Sequence, residues 1–130
     1  MYALPATAIL TLLMTVSEIN KMKVRLFIEA VLNDGRLELI DELVGDDYVG
    51  RVPHLDGMVL GPDGVRRLVA SRRRNHPDVR VKIEDQIAEG DRVATLWRTA
   101  DCSGISIIRL LAGKQVDSHT EYTEFTESVR

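Results

Sequence analysis

The C-terminal half of the chain narrows the choice of fold more than any other feature. From Val79 onward, short alternating runs are separated by compact turns. The runs are "VRVKIEDQIAEG", "RVATLWRT", "ISIIRLL" and "QVDSHTEYTEF", with turns at "EGD", "ADCSG" and "AGK". Alternation with a period of two is the pattern of a strand with one covered face. In the first run Val79, Val81 and Ile83 alternate, and the pattern is interrupted before Ile87. A bulge or extra twist is expected there. Four strands joined in this way form an antiparallel meander.

The N-terminal half has a different period. Thr15 and Glu18 stand at capping-box spacing, and Ser17 is a second candidate N-cap. Ile19, Met22, Leu26, Phe27, Ala30 and Val31 then recur at helical spacing, and Gly35 in "NDG" marks the stop. A second short helix is expected in "RLELIDELV", with Leu37, Ile40, Leu43 and Val44 as its apolar stripe. "DDYVGRVP" reads as a short extended segment, which Pro53 keeps out of a central ladder. "LDGMVLGPDG" is a loop. Pro62 opens a third helix, in which Val65, Leu68 and Val69 face inward, and "HPD" ends it near Asn75. Helices lead and the meander follows, so the class is α+β. A chain of 130 residues suits one such domain.

Two features invite other readings. "RRLVASRRR" holds five arginines in nine residues: Arg66, Arg67, Arg72, Arg73 and Arg74. The whole chain, however, carries 17 basic and 20 acidic side chains, a net charge of -3. No aromatic stacking platform accompanies the arginines, so no nucleic-acid partner is expected and they read as the solvated back of a core-facing helix. The apolar stretch Ala3 to Val16 is too short to span a bilayer and lacks the basic start and cleavage site of a signal peptide. No membrane partner is expected. Residues 1–16 are taken as an apolar extension to a single domain over 17–130, with Met14 a possible second initiator. The single cysteine, Cys102, excludes an internal disulfide and a CxxC metal site, which fits a cytoplasmic protein.

"GPDGVRRLVASRRRNHPDVRVKIEDQIAEGDRVATLW" followed by "GISIIRLLAGKQVDSHTEY" resembles the SnoaL-like polyketide cyclase family, within the nuclear transport factor 2-like superfamily. The resemblance runs from about Val24 onward. It rests on the order of the Gly-Pro-x-Gly helix start, the Pro-Asp exit, the Glu-Gly-Asp-x-Val-Ala hairpin and the Gly-Ile-x-Ile-x-Arg to Gly-Lys hairpin. It implies a curved antiparallel sheet wrapped as a cone around N-terminal helices, an internal pocket, and a homodimer. It also implies acid–base work without metal or cofactor on a small apolar carbonyl compound, by a cyclase or isomerase type of reaction. Two departures stand out. Arg51 occupies the region after the "DDY" tyrosine where relatives carry a histidine, with His54 three residues further on. Only "RTADCS" separates Trp97 from Gly104, so a central hairpin is shortened.

On the last strand Asp117, His119 and Glu121 share one face, because side chains two apart on a strand point the same way. If that face looks into the cone, His119 and Glu121 form an acid–base pair, with Glu121 orienting the imidazole. If it looks out, the pair is solvated or a dimer contact. Tyr48 and Arg51 are candidates to steady a developing oxyanion, and Trp97 to line the pocket. Each has a plainer reading: Tyr48 at a core edge, Arg51 on the surface, Trp97 filling the core. His76 reads as a helix-end residue. His54, His76 and His119 are too scattered for a local metal motif. A non-catalytic ligand-binding or dimerisation module is the competing function.

Overall fold

A computed structural model describes residues 15–53 and 57–125. Met14 and His54 lie outside the described residues. The first helix, α1, spans Val16–Leu26 and continues through Phe27–Asn33 as π-helical turns. Thr15 caps it as expected, its hydroxyl accepting from the Glu18 N–H at 3.0 Å. The chain leaves the helix through Gly35, whose φ of 73° favours glycine.

The buried stripe of α1 differs from the one its hydropathy predicts. Met22 is 57% exposed and Leu26 is exposed as well, whereas Asn20, Val24 and Ile28 face inward; Ala30 and Val31 are buried as expected. Asn20 hides the stripe in the sequence. It is polar yet buried, because its amide donates to the Gly90 carbonyl at 3.2 Å. The wider π-helical turns after Leu26 then shift the phase of everything that follows.

A 3-10 turn (Leu37–Leu39) leads into the one-turn helix α2 (Ile40–Leu43), then strand β1 (Val44–Arg51) and the two-residue strand β2 (Val59–Leu60). Helix α3 covers Gly61–Asn75 with proline in its first turn, and His76 is its C-cap. The meander follows as β3 (Lys82–Glu89), β4 (Arg92–Arg98), β5 (Cys102–Leu111) and β6 (Lys114–Glu124). The sheet order is β2-β1-β6-β5-β4-β3. Its described pairings are antiparallel except that of β1 with β6, which is parallel. The β4–β5 turn is as short as the sequence implies, closed by the Thr99 N–H donating to the Cys102 carbonyl at 2.8 Å.

Two apolar cores fill the space between sheet and helices. One joins Val31, Ile40, Leu43, Val44 and Tyr48 to Val65 and Val69 of α3. The other joins Val24 and Ile28 of α1 to Val93, Ile108 and Leu110 of the meander. Phe27 and Leu32 pack against both. The arginines of α3 lie away from these cores. Arg66 pairs with Asp41 and Asp63. Arg73 donates to the Asn33 carbonyl at 2.7 Å, satisfying the end of the first helix. Asn33 in turn clasps the Val81 backbone with both ends of its amide, at 2.8 and 2.7 Å.

Two bulges decide which side chains face the cone. The register of β3 on β4 shifts between Ile83 and Asp85. Ile83 therefore packs on the core while Ile87 is 68% exposed, although both are odd-numbered. In β6, Asp117 pairs with Arg109 and Gln115 with Leu110, leaving Val116 as the extra residue. Gln115 is buried, and beyond the bulge Ser118 is the next buried residue.

Candidate functional site

Beyond the bulges the inner face of the meander is built in cross-strand rows. Ala88, Val93, Ile108 and Ser118 form the first. Gln86, Thr95, Ser106 and Thr120 form the second, and Ile83, Trp97, Gly104 and Tyr122 the third. The first row is mostly apolar and serves the core. The second consists of hydrogen-bonding side chains. Gln86 Nε2 donates to Thr95 Oγ1 at 3.2 Å and to the Lys21 carbonyl at 3.4 Å. Ser106 Oγ and Thr120 Oγ1 lie 2.8 Å apart, and Trp97 Nε1 donates to Ser106 Oγ at 3.1 Å.

The last three groups leave one hydrogen over. An indole N–H can only donate, so Ser106 accepts from Trp97. The two hydroxyls carry two hydrogens and share a single link. Whichever way they turn, one O–H finds no acceptor among the described residues.

Tyr48 lies on the same side, 9% exposed, its side chain folded over Gly50. Burial pushes its phenol pKa up from the ordinary value, and the Ser118 hydroxyl pulls the other way. It stays protonated, and so remains a donor, throughout the neutral range. The three rows carry no carboxylate and no imidazole.

Of the residues singled out from the sequence, Tyr48 and Trp97 are thus on the inner side. Arg51, His119 and Glu121 are not. His119 Nε2 and Glu121 Oε1 do approach each other, at 2.9 Å, but their side chains are 53% and 65% exposed on the outer face of β6. Arg51 pairs with Asp117 at 2.9 Å on that outer face. Of the two placements that the sequence left open for the His119–Glu121 pair, the Val116 bulge gives the outward one. One extra residue exchanges the two faces of everything beyond it. The same exchange brings Ser118, Thr120 and Tyr122 inward, and their even spacing is the signal that could have identified them.

The outer face carries a block of exposed apolar side chains in two adjacent rows. Ile87, Ala94, Ile107 and His119 form one, and Asp85, Leu96, Ile105 and Glu121 the other, with the charged or ionisable groups at the row ends. Ile107 is 45% exposed, and Leu96 and Ile105 are exposed too. Ion pairs rim the block: Arg51 with Asp117, Arg109 with Asp91 and Arg98 with Glu84. An open groove of about 460 Å³ lies elsewhere, between α1 and β3, and is lined by charges of both signs. Among the described residues no cluster of His, Cys, Asp and Glu is arranged to hold a metal ion, and no helix is long and apolar enough to cross a membrane.

Comparison with solved structures finds the same fold. A protein of unknown function from Mesorhizobium loti, described as NTF2-like, superposes with a TM-score of 0.70 at 23% identity, over 85% of this chain and 95% of that one. A SnoaL-like protein of unknown function from Burkholderia thailandensis gives 0.71 at 19% identity, over 81% and 94%. A loop-truncation variant of IdmH gives 0.68 at 22% identity, over 79% and 91%. No curated protein matches the chain in sequence. The family model for SnoaL-like polyketide cyclases matches residues 22–119. With that match over most of its length and the cone-forming sheet behind it, the chain belongs to the SnoaL-like polyketide cyclase family.

Proposed function

We propose that this protein binds a small, uncharged, carbonyl-bearing molecule against the inner face of its sheet, without a metal or cofactor, and does so as a homodimer. The surplus hydroxyl hydrogen of the Trp97–Ser106–Thr120 chain carries the binding reading. A half-buried donor with no acceptor among the described residues is matched by a ligand oxygen. Tyr48, held protonated by burial, supplies a second donor. The inner rows offer donors to a carbonyl oxygen but no carboxylate or imidazole to remove a proton beside it. Binding therefore ranks ahead of cyclase or isomerase chemistry, and His119 and Glu121 are assigned away from the ligand.

The dimer reading rests on the outer face. Its apolar block is rimmed by ion pairs that present both charges, so the face is complementary to a second copy of itself about a two-fold axis. His119 and Glu121 edge that block.

One experiment tests both halves. Neutral bicyclic ketones are assayed by equilibrium dialysis, and molecular mass by sedimentation velocity, for two double variants. Ser106→Ala with Thr120→Val is expected to weaken ketone binding and leave the dimer intact. His119→Ala with Glu121→Gln is expected to leave ketone binding intact. If the outer pair proves necessary for binding while the inner pair is dispensable, the assignment of faces is wrong.

A further inference from the structure

Helix α1 buries one stripe and exposes another. Asn20, Val24 and Ile28 turn to the sheet, while Met22 is 57% and Leu26 41% exposed. Ile19, Met22 and Leu26 stand three and four residues apart, so they form one seam along the solvent side. None of the three belongs to either apolar core among the described residues. The seam is flanked by charge in a definite order. Glu18 stands four residues before Met22 and Arg25 three after it, and both are exposed. Arg25 is held by Glu29 Oε1 at 3.1 Å and Gln86 Oε1 at 3.5 Å, which occupies only two of its five N–H groups. The Glu18 carboxylate has no cationic partner among the described residues. Beside the seam runs the open groove of about 460 Å³ between α1 and β3, whose α1 wall is Glu18, Lys21, Met22 and Arg25. It gives the side chains of an approaching helix a place to sit.

We propose that this seam is a second contact between copies of the chain, in which α1 packs antiparallel on the α1 of a second copy about a two-fold axis between Lys21 and Met22. Positions 18 and 25 lie equally far from that axis. It therefore sets Glu18 against the partner's Arg25, and Arg25 against the partner's Glu18. A parallel pairing would set like charge against like. The order of the charges thus selects the arrangement that closes on itself. Met22, unbranched and adaptable, fills the centre. The contact does not compete with the outer block. Val24 and Ile28 of α1 pack with Val93, Ile108 and Leu110 on the inner side of the sheet, so the seam and the outer block lie on opposite sides of it.

About three turns of helix meet, roughly 16 Å, so the contact is small and its dissociation constant is expected on the order of 0.1–1 mM. It is read most simply in Ile107→Asp, which removes the outer-face pairing without touching α1. By analytical ultracentrifugation that protein is expected to be monomeric at about 5 μM and to dimerise at about 1 mM. Glu18→Arg and Arg25→Glu, each added to Ile107→Asp, should each abolish the dimer. An equimolar mixture of the two should restore it, since both cross-pairs are then complementary, and so should the two reversals in one chain. Restoration is a result that mere damage to α1 cannot give. Met22→Lys, at a largely exposed position, should leave a folded monomer and decides the matter if a charge reversal unfolds the helix. A protein that stays monomeric at the higher concentration would overturn the inference, as would a dimer indifferent to Met22→Lys and to the charge reversals. Association seen only after residues 1–14 are removed would also overturn it, making the chain's own N-terminus the occupant of the seam.

Discussion

Replacing Asn33 with alanine should be among the most damaging single changes outside the apolar cores. The side chain is 8% exposed and sits at the end of the first helix, against Val81 just ahead of β3. Its Nδ2 donates to the Val81 carbonyl at 2.8 Å, and its Oδ1 accepts from the Val81 N–H at 2.7 Å. Truncation deletes two hydrogen bonds at about 1 kcal/mol each and leaves two backbone groups without partners. Val81 is only half-buried, so water recovers part of the desolvation cost. The predicted net loss is about 2–3 kcal/mol, a large share of the roughly 5–15 kcal/mol that holds a domain folded. Urea unfolding would read this as a lower midpoint at unchanged slope. In a thermal scan it corresponds to a fall of roughly 8–12 °C for a domain of this size. Asn33→Asp keeps the acceptor but turns a carboxylate toward the Val81 carbonyl, so it should be at least as damaging at neutral pH and partly recover when acidified. A loss below about 0.5 kcal/mol for Asn33→Ala would mean that the clasp does not anchor β3, and the reasoning would fail.

Two further outcomes follow from the site and the outer face. Tyr48 has a raised pKa in the folded state, so its contribution to stability is complete below about pH 10 and is lost as the pH climbs from there through the folded value; Tyr48→Phe should flatten the alkaline limb of urea midpoints measured between about pH 9 and 11, and an unchanged limb would contradict this. Ile107→Asp places a charge in the centre of the exposed outer block and should give a folded monomer by sedimentation velocity, with circular dichroism unchanged; a persistent dimer would locate the interface elsewhere.

The parts of the fold that local chemistry dictates were legible in the sequence. The Thr15 cap, Pro62 at the start of α3 and the tight turn before Cys102 each depend on a few adjacent residues, and each is where the pattern puts it. The inward stripe of α1 was not legible, because Asn20 is polar and finds its partner in a distant hairpin at Gly90. Nor was the parallel pairing of β1 with β6, which depends on how the layers close and not on either strand alone. The site suffered most. Tyr48 and Trp97 lie on the inner side, where either of their readings, pocket or core, would put them. His119 and Glu121 pair as the alternation implies, but alternation alone left their face open, and the Val116 bulge turns them outward. Ser106, Thr95, Thr120 and Gln86 drew no notice. Small polar residues look like surface until the row that joins them is known.

The parallel contact between β1 and β6 also bears on how the chain must assemble as it is made. β1 is synthesised before the meander, but its long-strand partner β6 follows only after β3, β4 and β5. Until then one edge of β1 has only the two residues of β2 beside it on the other flank and nothing to close the sheet. The three hairpin-linked strands β3, β4 and β5 can zip locally in the meantime. Completion waits for β6 to slot between two preformed pieces, a non-local step that is slow and leaves strand edges open while it is pending. Truncations that remove β6 should therefore leave β1 without its long-strand partner and linked to the meander only through the packing of the helices, so β6 acts as the keystone of the sheet.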